Sequence, residues 1–271
     1  MDLASCENVE HRDSNMTKAA TGLYTAALGN RLADAEYVLQ RSRPGYSNVD
    51  YLQLKDLYDV LAAMSSGFAG DVFDYGCGGA PYRQLFAACK SYVKADVIPG
   101  PMVDRLLRAD GLTTEAPESY DVVISTQVLE HVKEPELYLR ECHRILRPGG
   151  QVVVTTHGMI QEHGCPYDFQ RWTSSGLEEL ISRTGFAVLE SLKLTTQIRA
   201  AVQLTHQCVP HLRSPNRVML HYVLAAFRKG YLWVCVPFLN WFADRFSEQA
   251  VSPACSPVNL YTGICVRAQK I

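Results

Sequence analysis

The residues best suited to chemistry begin with Asp74-Tyr75-Gly76-Cys77-Gly78-Gly79-Ala80-Pro81, which closes the apolar run Asp71–Tyr75. A strand that ends in glycines can turn sharply and bring bare backbone amides up to a ligand. Two kinds of ligand use such a turn. A dinucleotide fold wants G-x-G-x-x-G, so that a pyrophosphate can rest on a helix, yet Pro81 stands at the third glycine position. Asp74 would set a carboxylate beside that pyrophosphate, and a carboxylate suits a cationic sulfonium or amino group instead. Asp96 follows Gly76 by twenty residues. Its carboxylate can accept two hydrogen bonds from a ribose diol, a spacing that a nicotinamide dinucleotide would also accept. Three histidines could move protons near neutrality: His131, His157 and His163.

With these residues in view, the chain resembles the class I S-adenosylmethionine-dependent methyltransferases of the methyltransferase type 11 branch. Asp74, Gly76 and Gly78 match a D-x-G-C-G-x-G-like first motif, and Ala80 stands where its third glycine usually is. Asp110-Gly111-Leu112, the run Ser125–Val132 and the turn Arg144–Gly150 follow in family order. The resemblance implies S-adenosyl-L-methionine as cofactor, held by Asp74, Tyr75, Gly76, Gly78, Asp96, Asp110, Gly111, Thr126 and Gln127. It gives Asp74 the amino group, Asp96 the ribose hydroxyls and Asp110 the adenine amino group. The segment Glu162-His163…Pro166-Tyr167-Asp168-Phe169…Arg171-Trp172-Thr173 resembles methyltransferases of bacterial glycan and secondary-metabolite pathways. That implies O-methylation of a hydroxylated small molecule or saccharide. An oxygen acceptor must lose a proton, and histidine is the commonest general base. His157 comes first because it ends a strand, with His131 and His163 behind it. Tyr167, Asp168 and Arg171 could position the acceptor, or Asp168 and Arg171 could simply pair and order their loop. Nothing in the spacing of His157, His163 and Asp168 calls for a metal, and none is expected. An NAD-dependent oxidoreductase and a methyltransferase-like binding module without catalysis remain the alternatives.

The elements that must hold these residues alternate short β-rich runs with helices, the mark of a doubly wound α/β fold. Strands are expected at Asp71–Tyr75, Ser91–Val97, Val103–Arg108, Asp121–Ser125, Gln151–Thr156, Phe186–Leu194 and Asn259–Arg267, making a seven-stranded, mostly parallel sheet. Helices are expected over Leu28–Leu39, Val49–Met64, Pro81–Lys90, Pro135–Leu146 and Thr173–Thr184. The chain divides into an N-terminal tail and helices (1–66), the cofactor-binding core (67–198), a basic apolar helical insertion (199–250) and a C-terminal strand completing the core (251–271).

Composition is that of an ordinary globular protein, with 47% hydrophobic and 20% charged residues and a net charge of −2, and no nucleic-acid partner is expected. The charge is unevenly spread. From Ser191 to Ala243 there are six Lys or Arg residues (Lys193, Arg199, Arg213, Arg217, Arg228, Lys229) and no acid. Two apolar runs there, Val218–Phe227 and Tyr231–Phe242, each fall short of a bilayer span. Interleaved with Tyr222, Tyr231, Trp233 and Trp241, they suit a peripheral membrane contact through residues 199–246, a lid or a homodimer surface. Nine cysteines without a C-x-x-C pair read as buried free thiols in a reducing compartment. The acidic N-terminus does not read as a secretory signal, so a cytoplasmic protein is expected, peripheral at the inner membrane surface if the insertion binds lipid.

Overall fold

A computed structural model describes residues 28–31, 34–163, 167–212, 218–247 and 249–271. The expected tail over 1–20, Cys6, Cys165, Arg213 and Arg217 lie outside the described residues.

Eight strands form one sheet in the order β3-β2-β1-β4-β5-β8-β6-β7. They are β1 (Asp71–Tyr75), β2 (Ser91–Asp96), β3 (Arg105–Leu106), β4 (Tyr120–Thr126), β5 (Leu146–His157), β6 (Phe186–Thr196), β7 (Val251–Pro253) and β8 (Tyr261–Lys270). Strands β1 to β5 pair in parallel, while β8 runs antiparallel between β5 and β6. The expected doubly wound sheet is present, with one strand more than the seven expected: β7 adds a three-residue antiparallel edge to β6. The sheet is buried on both faces, so its central strands read as unbroken apolar runs. In β5, Val152 and Val154 face the helices α3 (Pro135–Ile145) and α4 (Ser174–Arg183), where Leu139, Ile145, Leu177 and Ile181 meet them. Val153, between them, points the other way onto Leu57 and Leu61 of α2 (Tyr51–Ser65). Helix α4 starts where Thr173 Oγ1 accepts from the amide of Gly176 at 3.1 Å, a side-chain cap of the ordinary kind.

The N-terminal helical pattern breaks in two, with residues 28–31 helical and α1 at Ala35–Ser42. Asp34 opens α1 by accepting from the amides of Glu36 and Tyr37. The helix expected over Pro81–Lys90 reduces to a 3₁₀ turn at Arg83–Phe86. The amide of Lys90 already bonds Gly70 O at 2.9 Å to start β2 opposite β1, which leaves too little chain for an α-helix.

Beyond β6 lie α5 (Ile198–Cys208) and a long helical segment made of α6 (Val218–Gly230), a π turn (Tyr231–Cys235) and α7 (Val236–Phe246). Arg228-Lys229-Gly230 therefore does not split two short runs. Met219–Phe246 is one segment of 28 residues whose most apolar stretch has mean hydropathy 1.2, by length and composition enough to cross a membrane. One of its faces is tied to the core. Asn240 donates to Tyr46 O and Asn48 O, and His206 of α5 joins Tyr231 Oη and Asn240 Oδ1. Arg199, counted above among the insertion's basic groups, is buried and pairs with Asp56 of α2. Lys193 is likewise buried, donating to Ser256 O and Val258 O. The described cysteines are unpaired. Cys77, Cys142 and Cys265 are buried, but Cys208 and Cys255 are exposed rather than buried as expected.

Candidate functional site

In an open α/β sheet the ligand crevice lies beyond the carboxyl ends of the strands where the winding reverses. Here that point falls between β1 and β4. The glycine turn follows β1 and the Gln127–His131 segment follows β4, so the fold brings together two motifs that are fifty residues apart. A concavity lined by Gly67, Asp121, Arg147 and Gly149 opens at the opposite, amino-terminal ends of the strands and takes no part.

The turn is built from backbone. The amides of Gly76 and Cys77 both donate to Ala95 O, at 2.8 and 2.9 Å, which pins the turn to the end of β2. Gly76 has φ +84° and a Cβ there would stand 2.4 Å from Val128 Cγ2, so the β1 and β4 loops touch only because the side chain is missing. Gly78, at φ +51°, faces open space. Its amide donates to Asp96 Oδ2 at 2.8 Å, while Asp96 Oδ1 accepts from the amide of Ile98 at 2.8 Å. Ala80 keeps φ +52°, the conformation a glycine would favour.

Two buried carboxylates flank this open space. Burial raises the Asp96 carboxyl above its usual range despite the amides that bond it. Asp74 is 3% exposed; Oδ2 accepts from Tyr92 Oη at 2.8 Å, and Oδ1 has no hydrogen-bond partner. Burial pushes its carboxyl up to about 7, and the charge of Asp96 adds to that, against the Tyr92 hydrogen bond and Lys94. An unpartnered carboxylate oxygen beside a second carboxylate fits a cation and repels a pyrophosphate. The short turn at Arg83–Phe86 also offers no α-helix N-terminus on which a pyrophosphate could rest.

The other expected cofactor residues are placed unevenly. The Tyr75 side chain is fully buried against Tyr138, and its hydroxyl donates to Gly111 O, so only its backbone faces the turn. Asp110 is half-exposed and pairs with Arg108 at 2.7 Å. Thr126 ends β4. Gln127 adopts φ +56°, and its amide donates to Thr155 O at 3.0 Å.

Beyond Gln127 the three histidines converge on Glu130, which the sequence places in the Ser125–Val132 run without assigning it a role in the site. Glu130, in a 3₁₀ turn, is fully buried. Its Oε2 accepts from Thr156 Oγ1 at 2.8 Å, and its Oε1 has no aligned partner. His157 Nε2 lies 3.2 Å and His131 Nε2 3.9 Å from that Oε1. The rings of His157 and His131 each lie edge-on to that of His163. The His157–Glu130 distance reads as an ion pair, yet burial drives both groups toward their neutral forms. Glu130 is raised, and His157 falls well below its ordinary value with nearby His163 and Arg171 adding to the effect. Burial and His131 bring His163 down to about 4.

His157 ends β5 as expected but does not open onto an acceptor. It is 4% exposed, with Nε2 toward Glu130 and Nδ1 3.5 Å from Gln53 Nε2 of α2. His131 is more open, its side chain 26% exposed. Its Nδ1 lies 2.6 Å from Tyr167 O. Since a carbonyl only accepts, Nδ1 carries a proton, and in the neutral ring Nε2 holds a free electron pair. Asp168 and Arg171 pair and order their loop, with Arg171 also donating to Ile160 O, Gln161 O and Gln170 O. Tyr167 is 63% exposed.

Part of the chain is similar in sequence to known methyltransferases. Residues 73–154 match the family described as a methyltransferase domain. The chain is 34% identical over 100 residues to a ubiquinone biosynthesis O-methyltransferase of Pseudomonas syringae pv. tomato, covering 31% of this chain and 43% of that protein. It is 35% identical over 107 residues to the protein of that description from Pseudomonas aeruginosa, covering 34% and 46%. The matches thus span less than half the length of these relatives. A solved S-adenosylmethionine-dependent methyltransferase from Mesorhizobium loti is 15% identical at a TM-score of 0.47, covering 81% of this chain and all of that one.

Proposed function

We propose that this chain, whose residues 73–154 match a methyltransferase domain, uses S-adenosylmethionine as a class I methyltransferase and methylates an oxygen of a hydroxylated small molecule or saccharide. The observation that supports the reading is that Glu130 Oε1, without an aligned hydrogen bond, and the partly exposed His131, with Nδ1 on Tyr167 O, lie together after β4, the strand paired with the β1 that leads into the glycine turn. The named O-methyltransferases among the relatives support oxygen as the acceptor atom.

When bound, the cofactor supplies an activated methyl group on a sulfonium with an excellent leaving group. What the chain adds is alignment and exclusion of water. Gly78 gives the ligand access to the backbone, Asp96 offers lone pairs to a diol, and Asp74 Oδ1 faces a cationic amino group. Glu130 and His131 hold the acceptor hydroxyl and receive its proton. The test is incubation of purified protein with labelled S-adenosylmethionine and a panel of phenols and glycosides, read by mass spectrometry. A product heavier by one methylene is expected, lost in His131→Ala. Transfer only to amines or thiols would overturn the oxygen reading.

We propose in addition that the long helix lies on a lipid surface, placing the protein peripherally at the inner face of the cytoplasmic membrane. Only 11% of its most apolar stretch is buried, and Trp233 (77% exposed), Val234 and Phe238 face outward. No acid occurs from Ser191 to Ala243 to repel anionic lipid. Burial of Val236, Asn240 and Ala243 against the domain favours lying on the bilayer over crossing it. Flotation with anionic vesicles should carry the intact protein and lose Val234→Asp. A concentration-dependent dimer abolished by the same substitution, without flotation, would assign the face to a second copy instead.

A further inference from the structure

Glu130 Oε1 has His157 Nε2 at 3.2 Å without an aligned hydrogen bond, and it also faces the ring of His131. Glu130 Oε1 is buried without an aligned partner, and His131 Nε2, bare because Nδ1 donates to Tyr167 O, stands 3.9 Å away. Two electron pairs face each other across that gap. His163 brings a third donor, and the ligand atoms of Glu130, His131 and His163 all lie within 4.8 Å of one another.

We infer that Glu130, His131 and His163 bind a divalent first-row transition cation of the zinc class, a use of these residues that their spacing in sequence does not announce. One carboxylate and two imidazoles form a donor set suited to such ions, and a three-residue site leaves a coordination position open. Bonds of about 2.0–2.2 Å place tetrahedral ligand atoms roughly 3.3–3.6 Å apart. Closing the site therefore takes a modest inward movement of the two histidines, both partly exposed, onto a fixed Glu130. The surrounding contacts are those of an oriented metal site. Tyr167 O fixes the His131 tautomer, Thr156 holds Glu130 Oε2, and Asp168 Oδ2 lies 3.2 Å from His163 Nδ1. Arg171 lies 3.3 Å from that nitrogen, but its charge is matched by Asp168. The role of the ion, though not its binding, rests on the methyl-transfer reading. With a cation bound, the acceptor's hydroxyl oxygen would take its open position in place of the direct contact with Glu130 and His131, and the hydroxyl proton would pass to water instead of to those two ligands, leaving the oxygen as the nucleophile.

Protein stripped with a chelator should be titrated with Zn²⁺ by calorimetry and with Co²⁺ by visible absorption, with S-adenosylmethionine affinity measured on the same samples. One equivalent is expected, with cobalt bands of a nitrogen–oxygen site and a Zn²⁺-dependent rise in melting temperature. Glu130→Gln and His131→Ala should each weaken binding by roughly 100-fold or more. Because His131 is partly exposed, its variant serves even if Glu130→Gln fails to fold. Lack of a stoichiometric site in the wild type, or undiminished binding in His131→Ala, overturns the inference. Zinc binding without cofactor binding would sink the methyl-transfer reading and leave the metal site standing; the reverse would do the opposite.

Discussion

Acidification through neutrality should weaken cofactor binding, and Asp74→Asn should remove most of that dependence. Burial holds the Asp74 carboxyl at about 7 in the unliganded fold, while a cationic ligand needs it ionised. The sign follows: below about 7 binding must expel a proton, and affinity falls as pH falls. With that value, the ionised fraction drops from roughly three quarters at about pH 7.5 to roughly one tenth at about pH 6, which weakens binding about eightfold, or ~1.2 kcal/mol. Asparagine keeps the shape and can still accept from Tyr92, but loses a charge-assisted bond worth roughly 1.5–3 kcal/mol, or about 10- to 150-fold. Titrations of the ligand itself are common to both proteins and cancel in the comparison. The assay is calorimetry with S-adenosylmethionine at both pH values, in two buffers of different ionisation enthalpy so that proton release is read directly. A wild-type affinity that does not change with pH, or an equal fall in Asp74→Asn, would refute the reasoning.

Tyr92→Phe removes the hydrogen bond that holds the Asp74 carboxyl down, so the midpoint of the pH dependence should move upward in the same titration. Ala80→Gly relieves a left-handed alanine and should raise stability in urea by about 0.5–1 kcal/mol after allowing for the freer unfolded chain. Arg199→Met leaves Asp56 buried without its partner and should cost roughly 3–5 kcal/mol, read as a fall in melting temperature. Gly78→Ala adds strain and a methyl group facing open space; cofactor affinity should drop while the fold persists by circular dichroism.

How much of this could be read from the chain depended on distance along it. Asp74, Gly76, Gly78 and Asp96 were legible because a strand, its turn and the next strand fix them locally. Glu130 was not. A carboxylate after a strand is unremarkable until β5 sets His157 and Thr156 against it, and the loop beyond adds His163. His157 was chosen for its place at a strand end, but only the packing of α2 shows that both ring nitrogens face protein groups. The insertion misled by composition. Gly230 in mid-helix costs about 1 kcal/mol and does not stop the helix, and Lys193 and Arg199 are engaged inside the fold rather than on its surface. The helix expected over Pro81–Lys90 failed for a register reason, since β2 must begin opposite Asp71.

What occupies the loop from Asp74 to Ala80 decides the function, and a crystal structure of the protein soaked with S-adenosylhomocysteine tests it most directly. Density should show the ribose hydroxyls on the Asp96 carboxylate, the amino group toward Asp74 Oδ1 and the sulfur turned toward Glu130 and His131. A nucleoside bound elsewhere, or a phosphate group resting on the glycine turn, would contradict it.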